Sequence, residues 1–130
     1  MAPDRAPFQY AVVRVVPRVE RGEFINAGVV LFCRTRGFLA ARTALDRRAL
    51  AALAGDCDTD EVASQLQTLE AVAAGDPAGG AVAELPPSER FHWLTAPAST
   101  VVQSSPVHTG LTEDPAAELD RLFGALVSRP

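Results

Sequence analysis

The sequence predicts a single α+β domain, with an antiparallel sheet of three or four strands and helices packed on one of its faces. Two observations support this fold class. Between residues 10 and 42, three apolar runs are separated by short polar, glycine-containing segments, which is typical of strands joined in a meander. From residue 46 onward, apolar residues recur instead with the period of amphipathic helices. Because 130 residues is a common size for one domain, we expect residues 1–130 to share one core.

The strands are predicted at residues 10–16, 26–34, 38–42 and 100–104. In the first of them, Val12, Val13, Val15 and Val16 place β-branched side chains on both faces, which indicates the interior of a sheet. The second is apolar on both faces as well, and Gly28 within it suggests a close approach of another backbone. Residues 1–7 contain two prolines and no periodic pattern, so we expect a frayed lead-in.

The helices are predicted from residues 46 to 74 and from 114 to 129. Asp46 and Asp58 are suitable N-caps for two successive helices, the second of which has Glu61 at capping-box spacing and ends at Gly75. Residues 75–88 are rich in glycine, proline and alanine, and we interpret them as an internal connector. Residues 88–94 fit either a short helix or a strand. Asp114, followed by a proline, begins the last helix.

The charges are distributed unevenly along a chain with a net charge of −4. Residues 1–50 contain nine arginines and four acidic residues, whereas residues 51–130 contain three arginines and twelve acidic residues. Either a basic sheet packs against acidic helices, or a basic face is left for an anionic partner. We favour the first interpretation, because an acidic chain opposes loose binding of nucleic acid, which we therefore do not expect as a partner.

Several other classes of protein are disfavoured by the sequence. The N-terminal residues lack the apolar core of a signal peptide, and no apolar run approaches the length of a membrane span, so we expect a cytoplasmic protein without a membrane partner. Cys33, Cys57, His92 and His108 have no zinc-site spacing, and helix capping accounts for the acidic residues at 56–61. We therefore expect no metal and no cofactor.

The loop between the first two predicted strands concentrates polar residues. It contains Arg18, Arg21 and Glu23, and it is flanked by Arg14 and Asn26. Arginines at short spacing around a glycine turn can bind phosphate or carboxylate through forked hydrogen bonds. In the structural alternative, Glu23 pairs with Arg14 while Arg18 and Arg21 are solvated. No established phosphate-loop motif is present.

A second polar cluster precedes the last helix and comprises Ser104, Ser105, His108, Thr109 and Gly110. Such a loop can present backbone N–H groups to an anion, and His108 titrates near neutral pH, so the cluster could bind phosphate or supply a general acid or base. The alternative is a turn whose hydroxyl groups satisfy backbone groups and whose histidine packs on a neighbouring strand or on Trp93.

Two regions of the chain resemble a bacterial family, the domain-of-unknown-function family 3037. The first reads Y-x-x-V-R-x-V-P and R-G-E-x-x-N-x-G-V-V-L over residues 10–31. The second reads R-F-x-W-L and S-T-V-V-Q-S-S-P-V-H-T-G over residues 90–110 and continues into the closing helix. The resemblance implies no activity. It does imply a partner, because members are often encoded beside a kinase-like protein of the persistence-toxin type.

Two functions are compatible with these patterns. The leading hypothesis is a non-enzymatic accessory or interaction module that recognises its partner through the loops at residues 14–21 and 105–110. The alternative is a small phosphate-ester hydrolase or transferase, in which Arg14, Arg18 and Arg21 hold the anion and Glu23 or His108 moves the proton. The partner of Arg14 and the separation between Glu23 and His108 discriminate between the two hypotheses.

Overall fold

The structure is a computed structural model that describes residues 4–128. These residues form one α+β domain, and the predicted fold class is confirmed. Its strands are β1 (Ala6–Val15), β2 (Ile25–Cys33), β3 (Phe38–Thr43), β4 (Val102–Ser104) and β5 (His108–Thr112). Its helices are α1 (Arg47–Leu53), α2 (Thr59–Ala74), α3 (Pro87–Thr95) and α4 (Pro115–Leu126).

All five strands belong to one antiparallel sheet with β1 at its centre. β2 and then β3 lie on one side of β1, while β4 and β5 both pair with the opposite side. β4 pairs with the second half of β1 and β5 with the first half, so two short strands lie end to end along one edge of the long central strand. The sheet therefore has one strand more than the three or four predicted, because β5 lies in a segment that we expected to be a loop.

Helices cover both faces of the sheet, so the expectation that they pack on one face is wrong. Along β2, Val29 and Leu31 pack against α4, whereas the alternate residues Val30 and Phe32 pack against α2 and α3. The physical reason is the apolar character of both faces of β1 and β2, since two apolar faces need two covering layers. We refer below to the α4 face and the α2 face.

A bulge divides the pairing of β1 with β2. Val13 pairs with Gly28, but the next residue, Arg14, pairs with Asn26, so Ala27 has no direct partner on β1. The extra residue shifts the alternation of β2 by one position. As a result, Ala27 packs with Val13 in the core of the α2 face, and Asn26 turns toward the α4 face.

The predicted helix caps are confirmed. Asp46, Asp58 and Asp114 are the N-caps of α1, α2 and α4, and each carboxylate accepts a hydrogen bond from a backbone N–H three residues later, at 3.0, 3.1 and 3.2 Å respectively. Gly75 ends α2 with a positive φ of 71°, a conformation that favours glycine. Local sequence therefore determines where these three helices begin.

The remaining segments refine the sequence prediction. The connector at residues 75–88 contains two short 3-10 turns, Pro77–Gly79 and Ala81–Glu84, and then enters α3, so the segment at 88–94 is helical. β1 begins at Ala6, which leaves residues 4–5 as the described part of the predicted lead-in; residues 1–3 lie outside the described range. Within residues 4–128, no helix is long and apolar enough to span a membrane.

Candidate recognition site

Arg14 lies near the end of the central strand, on the α4 face. It pairs with Asn26 on β2 and with Gln103 on β4, so its side chain emerges from the middle of the sheet rather than from an edge. The alternation of β1 places Arg14 on the same side as Phe8, which packs against α4. An arginine in such a position needs a partner for its guanidinium group.

No carboxylate neutralises Arg14 within the described part of the chain. The Nε atom of Arg14 is buried and has no hydrogen-bond partner among residues 4–128. The guanidinium carbon lies 4.3 Å from the centroid of the Phe24 ring, in the geometry of a cation–π contact. Phe24 itself is 44% exposed. The structural alternative, in which Glu23 pairs with Arg14, is therefore wrong, because the Glu23 carboxylate binds Arg21.

The other charged residues of the loop form separate ion pairs at the surface. Arg21 donates from Nε to the Glu23 carboxylate at 2.6 Å, and Arg18 lies 3.2 Å from the Asp56 carboxylate in the α1–α2 connection. The hydrogen bond from Arg21, reinforced by its positive charge, lowers the pKa of Glu23, and the same bond raises the pKa of Arg21. Exposed pairs of this kind contribute little to stability and exchange readily for other partners.

Asn26 has a structural contact beside Arg14. Its Nδ2 atom donates to the backbone carbonyl of Leu126 at 3.0 Å. The last carbonyl groups of a helix have no partner within the helix, so this bond satisfies one of them and fixes the end of α4 on the sheet. The last residue of α4 is therefore bound to Asn26, and Arg14 is the residue that pairs with Asn26 on β1.

Ser105 fills the break between β4 and β5. Its hydroxyl accepts the backbone N–H of Val12 at 2.8 Å and donates to the carbonyl of Pro106 at 2.8 Å, while its own N–H donates to the carbonyl of Val12 at 2.8 Å. The side chain thus completes the hydrogen bonding of β1 where the backbone pairing passes from one short strand to the other. Ser105 is 3% exposed, so it is not accessible as a binding residue in this conformation.

We expect Ser105→Ala to lower the free energy of unfolding by about 2 kcal/mol, because it leaves the buried N–H of Val12 without an acceptor. Urea unfolding followed by circular dichroism measures the change. Ser88→Ala is the matched control, since Ser88 is exposed on α3 and has no side-chain hydrogen bond among the described residues. Equal stabilities of the two variants would contradict the role assigned to Ser105.

Three residues of the second polar cluster, His108, Thr109 and Gly110, belong to β5. His108 pairs with Tyr10, and the two ring centroids lie 5.2 Å apart. Thr109 is exposed, and a Cβ atom at Gly110 would lie only 2.7 Å from the ring of Phe8, so that position has no room for a side chain. The presence of His108 and Gly110 at these positions is therefore accounted for by the pairing of β5 with β1.

The two predicted clusters do not meet in one catalytic site. His108 is opposite Tyr10, whereas Glu23 precedes the start of β2, which pairs with Val15 at the far end of β1. At about 3.4 Å per strand residue, the five steps from Tyr10 to Val15 span roughly 17 Å. Within residues 4–128, no group of three or more histidine, cysteine, aspartate or glutamate residues is arranged to hold a metal ion.

Several large apolar residues are exposed that the sequence did not single out, among them Val19, Phe24 and Trp93. Val19 and Phe24 lie in the β1–β2 loop with exposures of 41% and 44%. Trp93 in α3 is 51% exposed, whereas Phe91, two residues earlier, is buried. The sequence feature that could have indicated this exposure is the presence of Val19 and Phe24 in a loop that is otherwise mostly polar. We use the term arginine–phenylalanine surface for Arg14 and Phe24, which are in contact, together with Arg18, Val19 and Arg21 of the same loop.

These features define a small α+β domain that displays arginines and an aromatic ring at one end of its central strand. The sequence model of the family described as "Protein of unknown function (DUF3037)" matches residues 10–127, and the chain belongs to this family. Neither a curated protein nor a solved structure matches the chain.

Proposed function

We propose that this protein is a non-enzymatic interaction module that binds an acidic site on a protein partner through the arginine–phenylalanine surface. The observation that supports the proposal is the unsatisfied side chain of Arg14. Its Nε atom is buried and has no hydrogen-bond partner among residues 4–128, and its guanidinium carbon lies 4.3 Å from the centroid of the half-exposed Phe24 ring. A buried N–H donor without an acceptor is energetically unfavourable, and a carboxylate from a partner that reached it would remove that cost.

The residues around Arg14 suit a protein partner. Phe24 and Val19 supply exposed apolar area, and arginine with an aromatic residue is a frequent combination among the residues that dominate binding energy. Arg18 and Arg21 are held only by exposed ion pairs, so each can turn to a carboxylate of the partner at small cost.

We assign the partner to the kinase-like class that the family resemblance implies. An acidic patch on that protein would meet Arg14 in the centre of the contact and Arg18 and Arg21 at its rim. The second predicted loop makes no contribution in this proposal, because Ser105 is buried and His108 lies roughly 17 Å from the end of β1 that carries the surface.

The phosphate-ester hydrolase or transferase receives no support from a specific observation. A general base near neutral pH needs a raised carboxylate pKa, whereas the hydrogen bond from Arg21 lowers the pKa of Glu23. His108 is too far away to act with it, as the register of β1 shows. We therefore do not propose a catalytic role for either residue.

The test is co-expression with a kinase-like protein of the class that the family resemblance implies, followed by calorimetric titration of the purified proteins. Arg14→Met keeps the apolar stem and removes the charge, and Phe24→Ala removes the ring. Each is expected to weaken binding at least tenfold, or about 1.4 kcal/mol. Arg48→Ala, on an exposed turn of α1, removes an equal charge elsewhere and is expected to leave the affinity unchanged.

Two results would contradict the proposal separately. The absence of any complex would exclude the kinase-like partner. A complex that retains full affinity in both Arg14→Met and the double variant Arg18→Ala, Arg21→Ala would exclude the arginine–phenylalanine surface. Thermal unfolding of each variant establishes that a loss of binding is not a loss of fold.

A further inference from the structure

A cleft of about 510 Å³ opens on the α2 face, on the other side of the sheet from Arg14. Its floor includes Val13 and Val102, its walls are α2 and the end of α3, and residues 96–100 close it on the approach to β4. This volume lies in the range of sites that bind small molecules or short peptide segments. The arginine–phenylalanine surface does not include any residue of this cleft, so the two sites are independent.

The lining of the cleft favours an apolar ligand with a positive charge. Leu69 and Leu94 extend the apolar floor, and Trp93 stands half-exposed at its side. Among residues 4–128, Glu61 is the one charged residue that lines the cleft, and no arginine of this range lines it. A carboxylate attracts a guanidinium or ammonium group by charge and repels an anion, and an indole ring attracts the same cation by cation–π contact; Glu61 and Trp93 place both groups in the lining of this cleft.

The edge of the sheet beside the cleft has unused hydrogen-bonding groups. The N–H of Val16 donates to the carbonyl of Val101, and the N–H of Ser105 donates to the carbonyl of Val12. Because backbone groups alternate in direction along an antiparallel strand, the intervening N–H groups of Val102 and Ser104 point away from β1. Neither has a partner among residues 4–128. An extended peptide can bind such groups by adding a strand to the edge.

We propose that this cleft binds an extended segment of a partner protein in which an aliphatic residue and an arginine or lysine are two positions apart. Residues two apart project from the same side of a strand. The aliphatic side chain enters the apolar floor, and the basic side chain lies along Trp93 toward Glu61. The backbone of the segment accepts hydrogen bonds from the outward N–H groups of Val102 and Ser104.

Trp93 provides a direct readout, because it is the only tryptophan in the chain and it lines the cleft. The probe is a capped Ser-Leu-Ser-Arg-Ser peptide, and the matched probe carries Glu in place of Arg. We expect the arginine peptide to change the emission of the full-length protein saturably. The glutamate peptide is expected to bind at least tenfold more weakly. Equal binding of the two peptides, or no emission change with either, would overturn the proposal.

Two variants test the parts of the proposed site. Glu61→Gln removes the carboxylate and is expected to weaken the arginine peptide about fivefold or more, whereas Glu89→Gln removes a carboxylate from α3 outside the cleft lining and leaves the affinity unchanged. Ser104→Pro removes one outward N–H and is expected to weaken the peptide as well. Should that variant not fold, N-acetyl-arginine amide replaces it as a test, because binding as tight as that of the pentapeptide would exclude strand addition.

Discussion

Gly28→Ala is expected to lower the free energy of unfolding by about 3 kcal/mol. A Cβ atom at this position would lie 2.8 Å from the backbone oxygen of Arg42 and 2.8 Å from Cγ2 of Thr43. Neither neighbour moves easily, because Thr43 is paired with Gly28 in the sheet and is also bound through its N–H and hydroxyl by the Glu70 carboxylate, at 2.8 and 2.5 Å. The added methyl group must therefore push β3 away from β2.

Urea unfolding of the purified variant measures this loss of stability. Gly124→Ala is the control, because Gly124 lies on the exposed side of α4 with no atom within 4 Å of an added Cβ, and alanine favours a helix by about 1 kcal/mol. The two substitutions add the same methyl group and should have opposite effects. If Gly28→Ala were as stable as the unaltered chain, β3 would not approach β2 as closely as the structure indicates.

Arg90→Met is expected to lower the free energy of unfolding by about 3 kcal/mol as well, through lost hydrogen bonds rather than through crowding. Arg90 donates to the carbonyls of Val72 and Ala73 at 3.0 and 2.7 Å and to the carbonyl of Leu85 at 2.9 Å. The first two belong to the last turn of α2, where carbonyl groups have no partner within the helix and a positive charge is favourable. Arg90 thus joins α2, the connector and α3.

The conservative variant distinguishes charge from geometry. Arg90→Lys retains the charge but has a single ammonium group. This group cannot reach both the carbonyls at the end of α2 and the carbonyl of Leu85 in the connector, so we expect an intermediate stability. Arg48→Met serves as the control on an exposed helix position and is expected to change stability by less than about 0.5 kcal/mol. Hydrogen exchange in residues 75–88 should accelerate in Arg90→Met. Unchanged exchange there would contradict the joining role.

Local physical chemistry made much of the fold predictable. The three aspartate caps function as expected because capping involves atoms within three residues of each other. The β-branched runs around Val13 and Val30 form the central strands because such residues favour a pleated, buried backbone. The crowded position of Gly28 was also foreseeable from the sequence, since a glycine within a strand often marks the close approach of another backbone.

The arrangement of these elements was less predictable. The β5 strand reads His-Thr-Gly-Leu-Thr, which has no strong strand pattern, and it forms because the first half of β1 offers unpaired backbone groups. The placement of α4 on the opposite face from α2 depends on a core cluster that combines residues distant in sequence, such as Leu122 of α4 and Leu31 of β2. Preferences of neighbouring residues do not encode such contacts.

The fold class and the helix caps follow from the sequence alone, because they depend on composition and on short-range geometry. The sequence leaves open whether Arg14 and Glu23 bind each other. The folded chain answers this question, because the turn of the β1–β2 loop brings Glu23 to Arg21 and Phe24 to Arg14. The pairing of a long side chain depends on which groups the folded chain brings within a few ångströms, and no spacing along the sequence specifies that distance.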